Sequence, residues 1–138
     1  MPESFVLDCS VAAKWVFPEQ GSEAALKFFE RYAAREIVLI APDLLLAEFA
    51  SLVTKRVRRK QLSSQQALEG FQLMVRVAPR LYHMRPRILP ALELSIRRQL
   101  SLWDCVYLAL ALEHGCPVVT ADQRLFRAGR GLHPSVQL

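Results

Sequence analysis

Hydrophobic and polar positions divide the chain into short apolar runs and longer amphipathic segments. The runs at 5–7 and 37–40 are apolar throughout and the run at 118–120 is Val-Val-Thr, which is typical of strands buried on both faces of a sheet. A weaker strand is predicted at 81–84, and the tail could add an edge strand. The amphipathic segments repeat apolar residues with the helical period of about 3.6. They predict helices over 10–17, 23–34, 42–59, 65–77, 86–99, 102–114 and 123–128.

The order of these elements predicts the fold class. Strands alternate with helices, which indicates an α/β protein with a parallel sheet covered on both faces. A chain of 138 residues without a repeat or a linker predicts one domain, 1–138. Pro90 requires a first-turn position or a kink in its helix. Gly115 is expected to end the helix that begins near Leu102.

Composition narrows the class of protein. A hydrophobic share of 52% indicates a globular chain, and no apolar run approaches the roughly 18 residues of a membrane span. The start of the chain lacks the pattern of a signal peptide, so we expect a cytoplasmic protein. Three cysteines without CxxC spacing predict reduced thiols. A histidine-based metal site is not expected, because the histidines are scattered singly: His83, His114 and His133.

Positive charge favours an anionic partner. The formal net charge is +5 and the pI about 9.5, which suits nucleic acid but also falls within ordinary surface variation. The basic run at 55–60 could hold RNA phosphates or could simply complement the dipole at a helix C-terminus. The same two interpretations apply to Arg127, Arg130 and the candidate nucleic-acid-binding residues, which are Lys55, Arg56, Arg58, Arg59, Lys60 and Arg124.

Four acidic residues occupy unusual positions. Asp8 and Asp122 each follow a predicted strand, where parallel sheets bind ligands, although a helix cap or turn is the alternative. Asp104 lies three residues after Ser101, which fits a capping box. Glu48 lies within the apolar face of its helix, where a buried salt bridge is the alternative to a functional role.

The joint pattern of these acids predicts a metal site. None of the four acids has an arginine or lysine directly next to it in the sequence that would neutralise it. Four carboxylates brought together would repel one another, and a divalent cation removes that repulsion. Oxygen-only ligation selects Mg²⁺ or Mn²⁺, which usually act on phosphates.

Four segments then resemble the acidic motifs of a known family. They resemble PIN-domain ribonucleases and, within them, the VapC-type toxins of bacterial toxin–antitoxin pairs. The likeness extends from about residue 5 to 127. The segments are VLDCSVAAKW at 6–15, LLLAEFASLV at 44–53, LWDCVYLALA at 102–111 and VVTAD at 118–122.

This resemblance implies a three-layer α/β/α sandwich in which Asp8 and Asp122 lie on neighbouring strands. It implies a Mg²⁺- or Mn²⁺-dependent endoribonuclease that cuts RNA, forms a homodimer and is inhibited by a cognate antitoxin. Some relatives carry a further acid near the site. Asp43 and Glu19 are candidates for it in this chain, but neither has a clear motif match. By similarity, the metal-binding and catalytic acids are Asp8, Glu48, Asp104 and Asp122, and the supporting hydroxyls are Ser10 and Thr120.

Other functions stay open on the residues alone. A nuclease acting on DNA or in RNA maturation would carry the same acids, and an inactive interaction module is a further alternative. A phosphatase with an Asp nucleophile is disfavoured because position 10 is Ser. Trp15 and Trp103 could stack on bases, but core packing is favoured. An exposed apolar patch for the antitoxin is hypothesised at Leu62, Phe71, Leu73 and Met74.

Overall fold

Strands and helices alternate along the computed structural model, which describes residues 2–130 and the backbone of 135–137. Strands β1 to β5 comprise Glu3–Leu7, Ile37–Pro42, Arg80–Tyr82, Val118–Thr120 and Ser135–Gln137. Helices α1 to α7 comprise Cys9–Val16, Ser22–Ala33, Leu44–Arg58, Ser64–Val77, Ile88–Arg98, Leu102–His114 and Gln123–Ala128. The predicted weak strand and the predicted tail strand are therefore present.

The five strands form one sheet in the order β3-β2-β1-β4-β5, and every pair is parallel. From β1 the chain builds β2 and β3 on one side, and it then returns to build β4 and β5 on the other. The strand order therefore reverses between β1 and β4, and such a point opens a crevice at the carboxyl ends of the strands. Asp8 and Asp122 follow these two neighbouring strands, as the resemblance implied.

Helices cover both faces of the sheet and complete three layers. Phe5 and Leu7 point into one hydrophobic core with residues of α1 to α4. Val6 points to the opposite face, into a second core with residues of α5 and α6. Residues 105–111 of α6 are all buried, which explains why this helix is apolar on every side. The predicted α/β/α sandwich is confirmed.

Proline and glycine positions account for the element boundaries. Pro42 was expected to open a helix but instead ends β2, because it pairs with Tyr82 of β3. A short 3-10 turn at Arg85–Arg87 precedes α5, so Pro90 lies in the first helical turn, where no N–H donor is needed. Gly115 ends α6 in the left-handed conformation with φ 59°, as predicted.

The structure also tests the expectations drawn from composition. Cys9, Cys105 and Cys116 are free and buried, which agrees with reduced thiols. Across 2–130 and 135–137, no helix has both the length and the apolar character needed to cross a membrane. His133 lies outside the described residues.

Candidate active site

Asp8 is a buried carboxylate held by two hydroxyl groups. Its side chain follows β1 and is only 7% exposed. The Oδ2 atom accepts a hydrogen bond from Ser10 Oγ at 2.5 Å and another from Thr120 Oγ1 at 2.7 Å. The side chain makes no capping hydrogen bond to α1, so the helix-cap alternative is wrong for Asp8. Both hydroxyl bonds fall on one oxygen, which leaves Oδ1 without a side-chain donor among residues 2–130.

Ser10 and Thr120 connect Asp8 to the chain that follows β4. Ser10 Oγ accepts a hydrogen bond from the backbone N–H of Ala121 at 2.9 Å. Thr120 Oγ1 accepts one from the backbone N–H of Asp122, also at 2.9 Å. Each hydroxyl has one proton, and each donates it to Asp8. The two side chains therefore fix the orientation of Asp8 and join the ends of β1 and β4.

Glu48 is held by a tyrosine that the sequence analysis did not single out. The buried hydroxyl of Tyr107 donates a hydrogen bond to Glu48 Oε1 at 2.5 Å. In the described part of the chain Glu48 forms no salt bridge, so the salt-bridge alternative is wrong. The available signal was the position of Tyr107 on α6, three residues after Asp104 and hence on the same helical face.

Asp104 lies in the first turn of α6, where the helix dipole favours a negative charge. Ser101 precedes the helix, but its side chain makes no capping hydrogen bond, so the predicted capping box is wrong. A capping box normally uses glutamate or glutamine at this position, and the aspartate side chain is shorter by one methylene. Asp104 is thus left half-buried without the capping partner that the sequence suggested.

Asp122 combines a capping role with a place beside the other acids. Its Oδ1 accepts a hydrogen bond from the backbone N–H of Arg124 at 2.8 Å, so the cap interpretation is confirmed for this residue. Its Oδ2 lies 3.8 Å from the exposed guanidinium of Arg124. The cap and the surface ion pair leave the carboxylate at the carboxyl end of β4, next to Asp8.

The four acids share one electrostatic environment. Burial, followed by the charges of Asp8, Asp104 and Asp122, raises the pKa of Glu48 to about 7, against the opposing hydrogen bond from Tyr107. Burial also raises the pKa of Asp104, with further contributions from Asp122 and Asp8. The pKa of Asp8 is raised by burial and, to a smaller extent, by Asp122, although both hydroxyls oppose this. The charges of Asp8, Asp104 and Asp122 therefore all act on Glu48, so each of the four acids named from the sequence contributes to this environment.

The donor chemistry of this cluster fits a hard divalent cation. All four side chains offer carboxylate oxygens, which suit Mg²⁺ or Mn²⁺. Within the ranges that the structure describes, no group of three or more acidic, histidine or cysteine side chains is placed so that it could hold a metal ion. Mg²⁺ is usually held by only one or two carboxylates and keeps several waters, so a smaller set of ligands can suffice.

The two further acids considered from the sequence have other partners. Glu19 forms ion pairs with Lys14 at 3.4 Å and with Arg56 at 2.7 Å. Asp43 accepts a hydrogen bond from the backbone N–H of Met84 at 2.9 Å. Neither residue is among the charges that raise the pKa values of the cluster.

The basic run of α3 is divided between different surfaces. Arg56 bonds Glu19, and its guanidinium lies over the ring of Phe17. Lys55 and Arg59 line a cavity beside Glu48. Arg58 instead lines an apolar groove between α3 and α4, and Lys60 follows the helix with φ 59°. The run is therefore not one uniform basic patch.

The two tryptophans have different environments. Trp15 packs against Phe29 and Tyr32, and its indole N–H donates to the Ala25 carbonyl, so core packing is confirmed there. Core packing is wrong for Trp103, which is 54% exposed. The first turn of α6 extends beyond the core, and its continuous buried segment begins only at residue 105.

The hypothesised apolar patch is also wrong in part. Met74 is fully buried, because this position of α4 faces the core that it shares with α1 and α3, whereas Leu73 is 37% exposed. Leu62 and Phe71 are partly buried against the core. An apolar groove does exist between α3 and α4, but it is lined by a different set that includes Val53, Val57, Ala67, Leu68 and Phe71.

Fold and site together define a class of protein: an α/β/α domain with an acidic cluster where the order of its parallel strands reverses. The sequence matches the PIN domain family over residues 5–131. The chain belongs to this family.

Relatives and solved structures are consistent with that membership. Ribonuclease VapC1 of Mycobacterium tuberculosis is 27% identical over 131 residues, which cover 95% of this chain and 97% of the relative. The crystal structure of PAE2754 from Pyrobaculum aerophilum aligns with a TM-score of 0.73 at 18% identity, covering 98% of this chain and 84% of that one.

Two structures from Mycobacterium tuberculosis are also similar. VapBC-5, described as a member of a toxin–antitoxin family, gives a TM-score of 0.65 at 19% identity and covers 99% of this chain and 100% of that one. VapC20, described as a Sarcin-Ricin loop cleaving toxin, gives a TM-score of 0.67 at 18% identity. This alignment covers 91% of this chain and 95% of that one. At these identities the likeness establishes the fold.

Proposed function

We propose that this chain is a Mg²⁺- or Mn²⁺-dependent endoribonuclease of the VapC kind, acting as the toxin of a toxin–antitoxin pair. The observation that supports the proposal is that burial and the charges of neighbouring acids, Asp122 among them, raise the pKa values of Asp8, Glu48 and Asp104. The names of the relatives support ribonuclease activity and RNA as the substrate. The net positive charge of the chain, +5, agrees with a polyanionic substrate.

The proposed roles follow from the contacts of each side chain. Asp8, Glu48, Asp104 and Asp122 would hold the cation through their free oxygens. Such an ion, when bound, lowers the pKa of water and offsets charge on the phosphate. Ser10 and Thr120 would keep Asp8 in one orientation, since each donates its proton to Oδ2. Tyr107 would position Glu48 in the same way.

Cleavage of RNA by the purified protein tests this proposal. We expect RNA to be cut with Mg²⁺ or Mn²⁺ and left intact with EDTA. Asp104→Asn should abolish cleavage, because the nearly isosteric amide removes the charge that binds the ion. Asp43→Asn is the matched control, since Asp43 lies outside the cluster and its amide oxygen can still accept from Met84. Equal activity of the two variants would contradict the assignment of Asp104.

The proposal includes an antitoxin as inhibitor. The similarity to VapBC-5 supports such a partner, and two surfaces suit one. An apolar segment fits the α3–α4 groove, and an arginine fits the acidic cluster in place of the cation. The product of an adjacent gene should inhibit cleavage, and Leu68→Asp should weaken inhibition without unfolding the chain, since Leu68 is 63% exposed. If this substitution left inhibition unchanged, the α3–α4 groove would be ruled out as the antitoxin-binding site.

A homodimer is also proposed. The outer face of α5 presents an apolar stripe at helical spacing, formed by Leu89, Leu92 and Ile96, all of which are exposed. A second copy of the chain would bury this stripe. Light scattering should give twice the monomer mass, and Ile96→Glu should return the protein to a monomer. A wild-type monomer would remove this part of the proposal.

A further inference from the structure

A basic groove runs along α3 away from the acidic cluster. The cavity has a volume of about 440 Å³, and Glu48 lies in its lining. The other positions follow at helical spacing, so they form one stripe of α3 that extends past its end. From Glu48 to Arg59, which directly follows α3, eleven steps of about 1.5 Å give a rise of about 16 Å, which accommodates more than one nucleotide. The lining includes Ser51, Lys55, Arg56, Arg59 and Gln61.

The three cations of this groove differ in their partners. Arg56 is committed to the fold by its 2.7 Å bond to Glu19 and by its stacking over Phe17. Lys55 and Arg59 are exposed, and neither makes an ion pair within the described ranges. Their charges are therefore not neutralised by the protein and remain available to an anion in the groove.

Another cation of the same run, Arg58, lines a different surface. Arg58 neighbours Arg59 in sequence but lines the apolar groove between α3 and α4. A role limited to complementing the helix dipole would not depend on which face a cation occupies. The structure thus provides two adjacent arginines of equal charge, one inside the basic groove and one outside it.

We propose that Ser51, Lys55 and Arg59 hold backbone phosphates of the RNA strand next to the phosphate at the acidic cluster. This inference rests on the proposed ribonuclease function. Lys55 supplies a compact ammonium, Arg59 a bidentate guanidinium, and Ser51 a hydroxyl donor. Different phosphates of the RNA strand thus contact different parts of the protein. The reacting phosphate lies at the carboxylates, and the neighbouring phosphates lie along α3.

Salt-dependent binding tests the groove separately from the chemistry. A short fluorescein-labelled single-stranded RNA is titrated with the full chain carrying Asp8→Asn, so that it is not cut, at several KCl concentrations. Lys55→Gln and Arg59→Gln are added singly and together, and Arg58→Gln is the matched control. Each groove substitution should reduce the slope of log K against log[KCl] by about 0.7, the value for one phosphate contact on a single strand. Arg58→Gln should leave the slope unchanged.

Equal loss of slope in Arg58→Gln and Arg59→Gln would overturn the proposal, because net charge would then explain binding. Arg59→Lys, which keeps the charge, should retain most of the slope, and circular dichroism confirms that each variant is folded. Cleavage of the same RNA by the wild type with Mn²⁺ is measured in parallel. If the wild type cuts the RNA but the groove substitutions do not change binding, the proposed phosphate contacts are overturned and the proposed ribonuclease function stands. If the RNA is neither bound nor cut, both proposals are overturned.

Discussion

Replacing Glu48 with glutamine should reduce the loss of stability that the metal-free protein undergoes as the pH rises. In the folded chain the pKa of Glu48 is raised from 4.5 to about 7, mainly by burial and then by Asp8, Asp104 and Asp122. The folded state therefore holds this proton more tightly than the unfolded state. The resulting stability is fully present below about pH 4.5 and is lost as the pH rises through about 7. Glutamine cannot ionise, but it keeps an oxygen that can accept from Tyr107.

The magnitude follows from the raised pKa. At about 1.4 kcal/mol for each pKa unit, the ionised carboxylate would cost at most about 3–4 kcal/mol well above pH 7. Glu48 is partly exposed, so solvent screening reduces this figure. Between about pH 5.5 and about pH 8 we therefore expect wild-type stability to fall by about 1 kcal/mol more than that of Glu48→Gln.

Urea unfolding in EDTA at both pH values measures this difference. Glu30→Gln is the matched control, because Glu30 is exposed on α2 and the chemical change is the same. The control should follow the pH dependence of the wild type, while Glu48→Gln should show a weaker one. If wild type and Glu48→Gln lost the same free energy of unfolding between the two pH values, the argument from burial and like charge would be refuted.

Three further outcomes are expected. Tyr107→Phe should lower the free energy of unfolding by about 1–2 kcal/mol, because Glu48 loses its donor. It should also weaken Mn²⁺ binding in calorimetry, and unchanged affinity would argue against a positioning role. Mg²⁺ at a hundredfold excess over Kd should stabilise the wild type by about 2.7 kcal/mol but Asp8→Asn much less, and equal thermal shifts would argue against Asp8 as a ligand. Trp103→Phe should weaken RNA binding by about 1 kcal/mol in anisotropy titrations if the exposed indole stacks on a base, and no loss would end that interpretation.

The strands and helices could be predicted from the sequence because each has its own hydrophobic period. Runs such as 5–7 and 37–40 are apolar throughout, since both faces of a parallel strand are covered. The boundaries were less well determined. Pro42 reads locally as a helix start, and only its pairing with Tyr82 places it in β2.

Hydrogen bonds between distant residues account for what the sequence missed in the site. Tyr107 and Glu48 are separated by 59 positions, and no local pattern links them. The failure at Ser101 is similar, because a spacing that permits a capping box does not show that the bonds form. Trp103 was assigned to the core from its apolar neighbours, although the first turn of α6 leaves it exposed.

The sequence by itself determined the layered α/β class and which acids could matter, because periodicity and residue chemistry are local properties. Only the tertiary structure decided how these acids are held and which cations remain available. The β1–β4 pairing brings Thr120 to Asp8 across 112 positions, and Arg56 of α3 pairs with Glu19 in the loop that follows α1. Arg58 and Arg59 are equivalent in a sequence, but 100° of helical rotation places them on different surfaces. Charge can be counted along a chain, whereas its partners depend on contacts between residues far apart in it.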